Sequence, residues 1–164
     1  MGRDEDFMRE ALREAEKAAA IGEVPVGAVV VVGGEVIARG HNRRENLKDA
    51  SAHAELLALR EAARRLGDWR LTEAVVYTTV EPCPMCAGAL VQFRVKKVVY
   101  GTADPKAGAA GSVVDLLREP RFNHQVEVVA GVLEEECREV MRRFFRELRR
   151  KAETPAASSS QYLK

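Results

Sequence analysis

Apolar positions first recur at helical spacing. Phe7, Met8, Ala11, Leu12, Ala15, Ala18 and Ala19 share one face over residues 4–21, with acids at the start and Gly22 at the end, which predicts an amphipathic helix with its own stop signal. The period then shortens. Residues 26–32 and 35–42 are β-rich and flank Gly33-Gly34, the chemistry of a two-residue hairpin turn. A polar connection over 43–49 leads to a helical pattern over 53–66, with Ser51 as the expected N-cap and Gly67 as the stop. Residues 74–80 predict a strand, Pro82 and Pro84 a turn into a short helix ending near Phe93, and 95–100 another strand. A glycine-containing loop over 101–112, a short helical stretch near 113–117, a fifth strand over 125–132 and a long helix over 134–151 complete the pattern. The order αββαβαβαβα alternates in its second half, which implies parallel strands covered on both faces: a mixed five-stranded α/β sheet between two helical layers. Residues 1–151 are expected to form one domain, and 152–164, with Pro155 and a run of serines, a disordered tail.

Composition narrows the setting. A chain of 164 residues, 46% apolar and 31% charged, fits one domain of ordinary size. Its apolar runs fall far short of the roughly 20 residues of a membrane span, and its start lacks the pattern of a secretory leader. Of three cysteines, two stand in Cys83-Pro84-Met85-Cys86, a spacing that suits a metal or redox site better than a disulfide framework and fits a cytoplasmic protein. The net charge of +1 hides a polarity, because residues 138–151 carry seven Lys or Arg against two Glu. The first expectation for such a run is a solvated helix face.

Chemistry concentrates where two predicted helices begin. His53-Ala54-Glu55 opens one and Pro82-Cys83-Pro84-Met85-Cys86 the other, with one predicted strand between them. Cysteines three apart on a helical turn point the same way, and His53 adds a third ligand. Two thiolates and an imidazole suit Zn²⁺, and three protein ligands leave the fourth tetrahedral position for water, as in a catalytic site. Helix N-termini also favour thiolates. On an ideal helix a step of two turns roughly 200°, so Glu55 approaches the ligands only if His53 sits at the helix boundary. Glu55 can then serve as general acid/base outside the coordination shell, for attack on a ring carbon bearing an exocyclic amine: hydrolytic deamination. Taken alone, a CxxC also fits a redox pair or a structural half-site, the latter needing a fourth ligand from Cys137, His41 or His124. Cys137 is expected to be a buried inert thiol, His41 and His124 structural, and Met85 a packing residue.

The HxE and PCxxC pair resembles the signature of the zinc-dependent nucleobase deaminases. Further blocks extend the likeness to the bacterial tRNA-specific adenosine deaminases: residues 23–29 (EVPVGAV), 41–43 (HNR), 52–55 (AHAE), 81–89 (EPCPMCAGA), 108–112 (GAAGS), 123–124 (NH) and 144–146 (FFR). The resemblance implies a cytidine deaminase-like three-layer α/β/α sandwich that converts adenosine to inosine at the wobble position of a tRNA anticodon. It implies a homodimer with one Zn²⁺ per subunit. It also implies that Asn42 contacts the inserted nucleotide, that Asp104 lies in the substrate-side loop, and that Phe145 and Arg149 meet the RNA from the last helix. Phe144 is left as packing, and Leu90, Val91 and Phe93 are the apolar positions expected to serve the dimer. Two other readings share the residues: a deaminase of free bases or nucleosides, and a noncatalytic zinc-binding subunit associated with RNA.

Overall fold

In the computed structural model, which describes residues 2–153, the hairpin is β1 (Gly27–Val32) and β2 (Glu35–His41), paired antiparallel. Gly33 and Gly34 turn the chain with φ of 61° and 79°, the left-handed pair that a type I′ turn demands and glycine supplies without strain. The register slips between Val30 and Val31, opposite Ala38 and Val36, so that Ile37 is the extra residue of a bulge. β1 also pairs antiparallel with β3 (Val75–Val80), while β4 (Lys97–Thr102) and β5 (Glu127–Ala130) run parallel to β3. The sheet order is β2-β1-β3-β4-β5. This is the expected mixed five-stranded sheet.

Strand alternation divides the core in two. Val29, Val31, Tyr77 and Val99 face the layer of α1 (Gly2–Ala20) and α5 (Glu134–Ala152). Their neighbours Ala28, Val30, Val76 and Val98 face α3 (Ala54–Leu66) and α4 (Pro84–Gln92). A period of two in the sequence thus becomes two apolar faces, each with its own helices. Because β3 and β4 are parallel and each is entered from a helix, the starts of α3 and α4 meet at one end of the sheet, where ligand sites of open α/β sheets form.

Several local expectations are corrected. Ser51 does not cap α3; its N–H and hydroxyl both bond the carboxylate of Asp49 at 2.9 and 2.7 Å, and His53 is the boundary residue. The connection after β2 contains one helical turn, α2 (Arg44–Leu47). Residues 113–117 are not helical. There the N–H groups of Val113 and Leu116 bond back to Gly108 and Ala109, and Ala110 bridges Asp115, so the donors close a loop instead of a helix. β4 begins later than expected and β5 is only four residues long. Leu90 and Val91 are buried in the core, which removes them as a surface for a second copy, while Phe93 packs against the core and stays half-buried beside Trp69. Met85, expected to pack, is exposed. α5 continues through Ala152, and the rest of the expected tail, 154–164, lies outside the described residues. Among the described residues no helix is long and apolar enough to cross a membrane.

Candidate active site

The boundary residues of α3 and α4 are His53 and Cys83, both extended (φ −83° and −75°), and neither helix start is capped by a side chain. Cys86 follows in the first turn of α4. His53 Nδ1 lies 3.6 Å from the sulfurs of both Cys83 and Cys86, and the three donor atoms all fall within 4.8 Å of one another. Among the described residues no other His, Cys, Asp or Glu joins this group. The candidates for a fourth protein ligand are engaged elsewhere. Cys137 is buried in the α1/α5 core, where burial pushes its thiol up to about 12; His41 Nδ1 faces Glu14 Oε1 at 3.1 Å and His124 Nε2 faces the Val95 carbonyl at 2.7 Å. Three soft donors without a fourth fit an open zinc site better than a closed structural one.

The electrostatics follow from burial and contact. A hydrogen bond from the Cys86 thiol, with help from His53, outweighs burial and holds the Cys83 thiol down at about 4. The contact with Cys83 and then burial push Cys86 up, and the Cys83 sulfur raises His53. Of the two sulfurs, that of Cys83 is thus the one favoured as a thiolate. Glu55, 3% exposed at the second position of α3, stands beside this group but outside it. Desolvation pushes its carboxyl up to about 7, against a smaller opposing pull from its own backbone N–H at the helix start. With His53 at the helix boundary, the geometric condition for Glu55 to approach the ligands is met.

Two other buried glutamates hold the walls of the pocket. Glu23 accepts the N–H groups of Glu45 and Asn46 at 3.1 and 2.7 Å, serving from a distance as the cap that α2 lacks. Glu81, between β3 and the Cys83 turn, accepts N–H groups from Asp104 (3.0 Å), Ala110 (2.9 Å) and Ser112 (3.1 Å) and the Ser112 hydroxyl. Although burial acts in the other direction, these donors keep Glu81 below the usual carboxylate range. Neither glutamate stands out in the sequence; each lies in a block matched as a whole, and its donors are 22 or more positions away.

Asn42 is buried on the pocket wall, its Nδ2 donating to the Val24 carbonyl at 3.2 Å and its Oδ1 accepting the Arg44 N–H at 3.2 Å. The pocket over His53, Glu55 and Cys83 has a volume of about 150 Å³. Beyond Val24, Val80 and Asp104, which line both, it opens into a groove of about 800 Å³ along α5. Arg138, Arg142, Arg146 and Arg149 line this groove together with Phe145. Seven of the eight residues singled out in the sequence thus border one continuous cleft, and the eighth, Cys86, lies fully buried behind it against His53. Phe144 turns the other way, toward α1, and meets Phe145 edge-on at 5.3 Å. The basic cluster at the end of α5 divides between faces: Lys151 lies on the α1 side and Arg150 pairs with Glu147.

Comparison with known proteins agrees with this geometry. Residues 3–149 match the family model of the MafB19-like deaminases. The chain is 58% identical over 151 residues to a tRNA-specific adenosine deaminase of Bacillus subtilis, covering 92% of this chain and 94% of that one. A Streptococcus pyogenes protein of the same name is 45% identical, with 86% and 89% covered. A solved structure described in a study of A-to-I editing by tRNA:A34 deaminases superposes with a TM-score of 0.80 at 44% identity, over 82% of this chain and 98% of that one. A guanine deaminase of Nitrosomonas europaea superposes at 0.75 with 25% identity, over 85% and 83%. A buried acid beside three soft donors, in a fold shared along nearly the whole chain, places this protein in the MafB19-like deaminase family, as a cytidine deaminase-like enzyme related at high identity to the bacterial tRNA-specific adenosine deaminases.

Proposed function

We propose that the chain is a zinc-dependent hydrolase of the cytoplasm that converts adenosine to inosine at the wobble position of a tRNA anticodon, residues 1–151 acting as one catalytic domain. The observation that carries this reading is the continuity of a small acid-bearing pocket with an arginine-lined groove. A volume of about 150 Å³ is below the range of roughly 300–1,000 Å³ typical of whole-ligand sites. It suits one splayed base, and the groove suits the backbone that delivers it. Anticodon loops permit such presentation, with a base extruded, stacked and read on its edge.

His53, Cys83 and Cys86 would hold Zn²⁺, which when bound supplies the Lewis acidity that makes water a nucleophile at neutral pH. Glu55 moves the protons. Its carboxyl, held near neutrality by burial, accepts a proton from the attacking water and gives it to the ring nitrogen beside the amine-bearing carbon. It then carries the second proton of that water to the departing amine, so that water and adenosine become inosine and ammonia, with Glu55 restored. Asn42, fixed on both its amide groups by backbone, offers the base edge a donor of set direction. Phe145 supplies a stacking face in the groove and Arg149 a phosphate contact, while Asp104 stands where pocket and groove meet.

The test is inosine mapping on total tRNA after treatment with purified protein, beside free adenosine, guanine and cytidine. Inosine at position 34 with the free compounds untouched is the expected result; turnover of a free base and none of tRNA overturns it. We further propose that the enzyme works as a homodimer with one zinc per subunit. Light scattering at micromolar concentration should give twice the chain mass, and a monomer mass refutes the dimer.

A further inference from the structure

We propose that Glu81 is a positioning residue for the RNA substrate: it fixes the lip formed by residues 104–112 against the Cys83 turn and thereby sets the shape of the passage from groove to pocket. This deepens the reading above and rests on it. Glu81 stands between two things the reaction must keep in register. On its own strand side its N–H bonds the Thr102 carbonyl at 2.9 Å, and Pro82, its neighbour, accepts the Ala109 N–H at 2.8 Å. On the other side its carboxylate gathers four donors from Asp104, Ala110 and Ser112. Among the described residues no Lys or Arg forms an ion pair with it, so backbone and hydroxyl dipoles alone face its charge.

The lip is built around this carboxylate. Gly108 passes so close that a Cβ there would collide with the carboxyl carbon and both oxygens of Glu81. Asp104, whose N–H is held by Glu81, in turn accepts the N–H groups of Lys106 and Ala107 at 3.0 and 3.2 Å and receives the Gly108 N–H on its carbonyl at 2.9 Å. The turn carrying Asp104 and Lys106, both of which line the groove, therefore hangs from one side chain. A glutamine cannot replace it. One carboxylate oxygen would become an NH₂ group facing N–H donors, which leaves buried donors unpaired whichever way the amide is turned.

Two variants disturb the contact from opposite sides. Glu81→Gln removes the acceptor, and Gly108→Ala pushes into it while leaving every charge in place. For each, zinc per chain, kcat and KM on an anticodon stem-loop, and the Kd of the labelled stem-loop are compared with wild type. The expected result is unchanged zinc, with KM and Kd raised roughly tenfold and kcat lowered by less, the size expected for one lost charged hydrogen-bond set. Combining Glu81→Gln with Asp104→Ala should give a less than additive change, because both act through one lip. Wild-type KM and Kd in both variants overturn the proposal. So does joint loss of zinc, melting temperature and kcat in both, which marks Glu81 as structural only. If the wild-type protein fails to deaminate the stem-loop, the functional reading falls, and the Kd arm still decides the role of Glu81.

Discussion

The two ends of the cleft are built on opposite plans. In the pocket the chemical groups are fixed and at least half-buried: Cys86 is 0% and Asn42 8% exposed, and the His53, Cys83 and Cys86 group sits on two helix starts over the sheet. In the groove the charged groups are exposed and already paired, Arg138 with Glu134 and Glu135, Arg142 and Arg146 with Glu139. Arg149 has no such ion pair among the described residues. Surface pairs of this kind contribute only about 0.2–1 kcal/mol each, so the arginines can exchange an acid of their own helix for a phosphate at little cost. The pocket is prearranged for bond making, where small displacements are costly. The groove holds charge in reserve for a flexible polyanion.

The contrast predicts a hierarchy of effects. Cys83→Ala should be the most severe, because it removes one of three ligands from the fixed end. Elemental analysis should find the zinc lost and deamination lost with it, and full zinc in the variant refutes the ligand assignment. Next is Glu55→Ala, which should lower kcat about a hundredfold to ten-thousandfold, the usual range for a general acid/base, while zinc and stem-loop affinity stay at wild-type levels. A variant retaining a third of the wild-type rate takes Glu55 out of the mechanism. Phe145→Ala, at the exposed end, should weaken stem-loop binding by about 1–3 kcal/mol, the range for one base–aromatic stack, and leave its salt dependence nearly unchanged. Arg149→Ala should do the reverse, changing affinity modestly at physiological salt and lowering the slope of log affinity against log salt by roughly 0.7–0.9. Equal slopes for Arg149→Ala and wild type make that arginine an ordinary solvated side chain. The same titration applied to Arg150→Ala, whose guanidinium pairs with Glu147 off the groove, should show a smaller change in slope.

The sequence by itself determined what short-range spacing can determine. The Gly33-Gly34 hairpin, the placement of His53 and Cys83 near two helix starts and the burial of Cys137 all follow from periods of two or 3.6 and from the φ preference of glycine, whereas the approach of Glu55 waited on His53, not Ser51, being the boundary residue of α3. Tertiary structure decided everything carried by contacts between distant segments. Ser51 looks like a cap until Asp49 takes both its donors, and residues 113–117 look helical until their N–H groups are spent on Gly108 and Ala109. Glu81 became visible only through donors 23 to 31 positions away, and the arginines of α5 were sorted into groove and non-groove only when that helix was laid against α1 and the Asp104 loop. The physical reason is that a backbone period fixes which side of an element a residue takes, whereas the partner of a buried charge is fixed by how elements pack, and packing is a property of the whole chain.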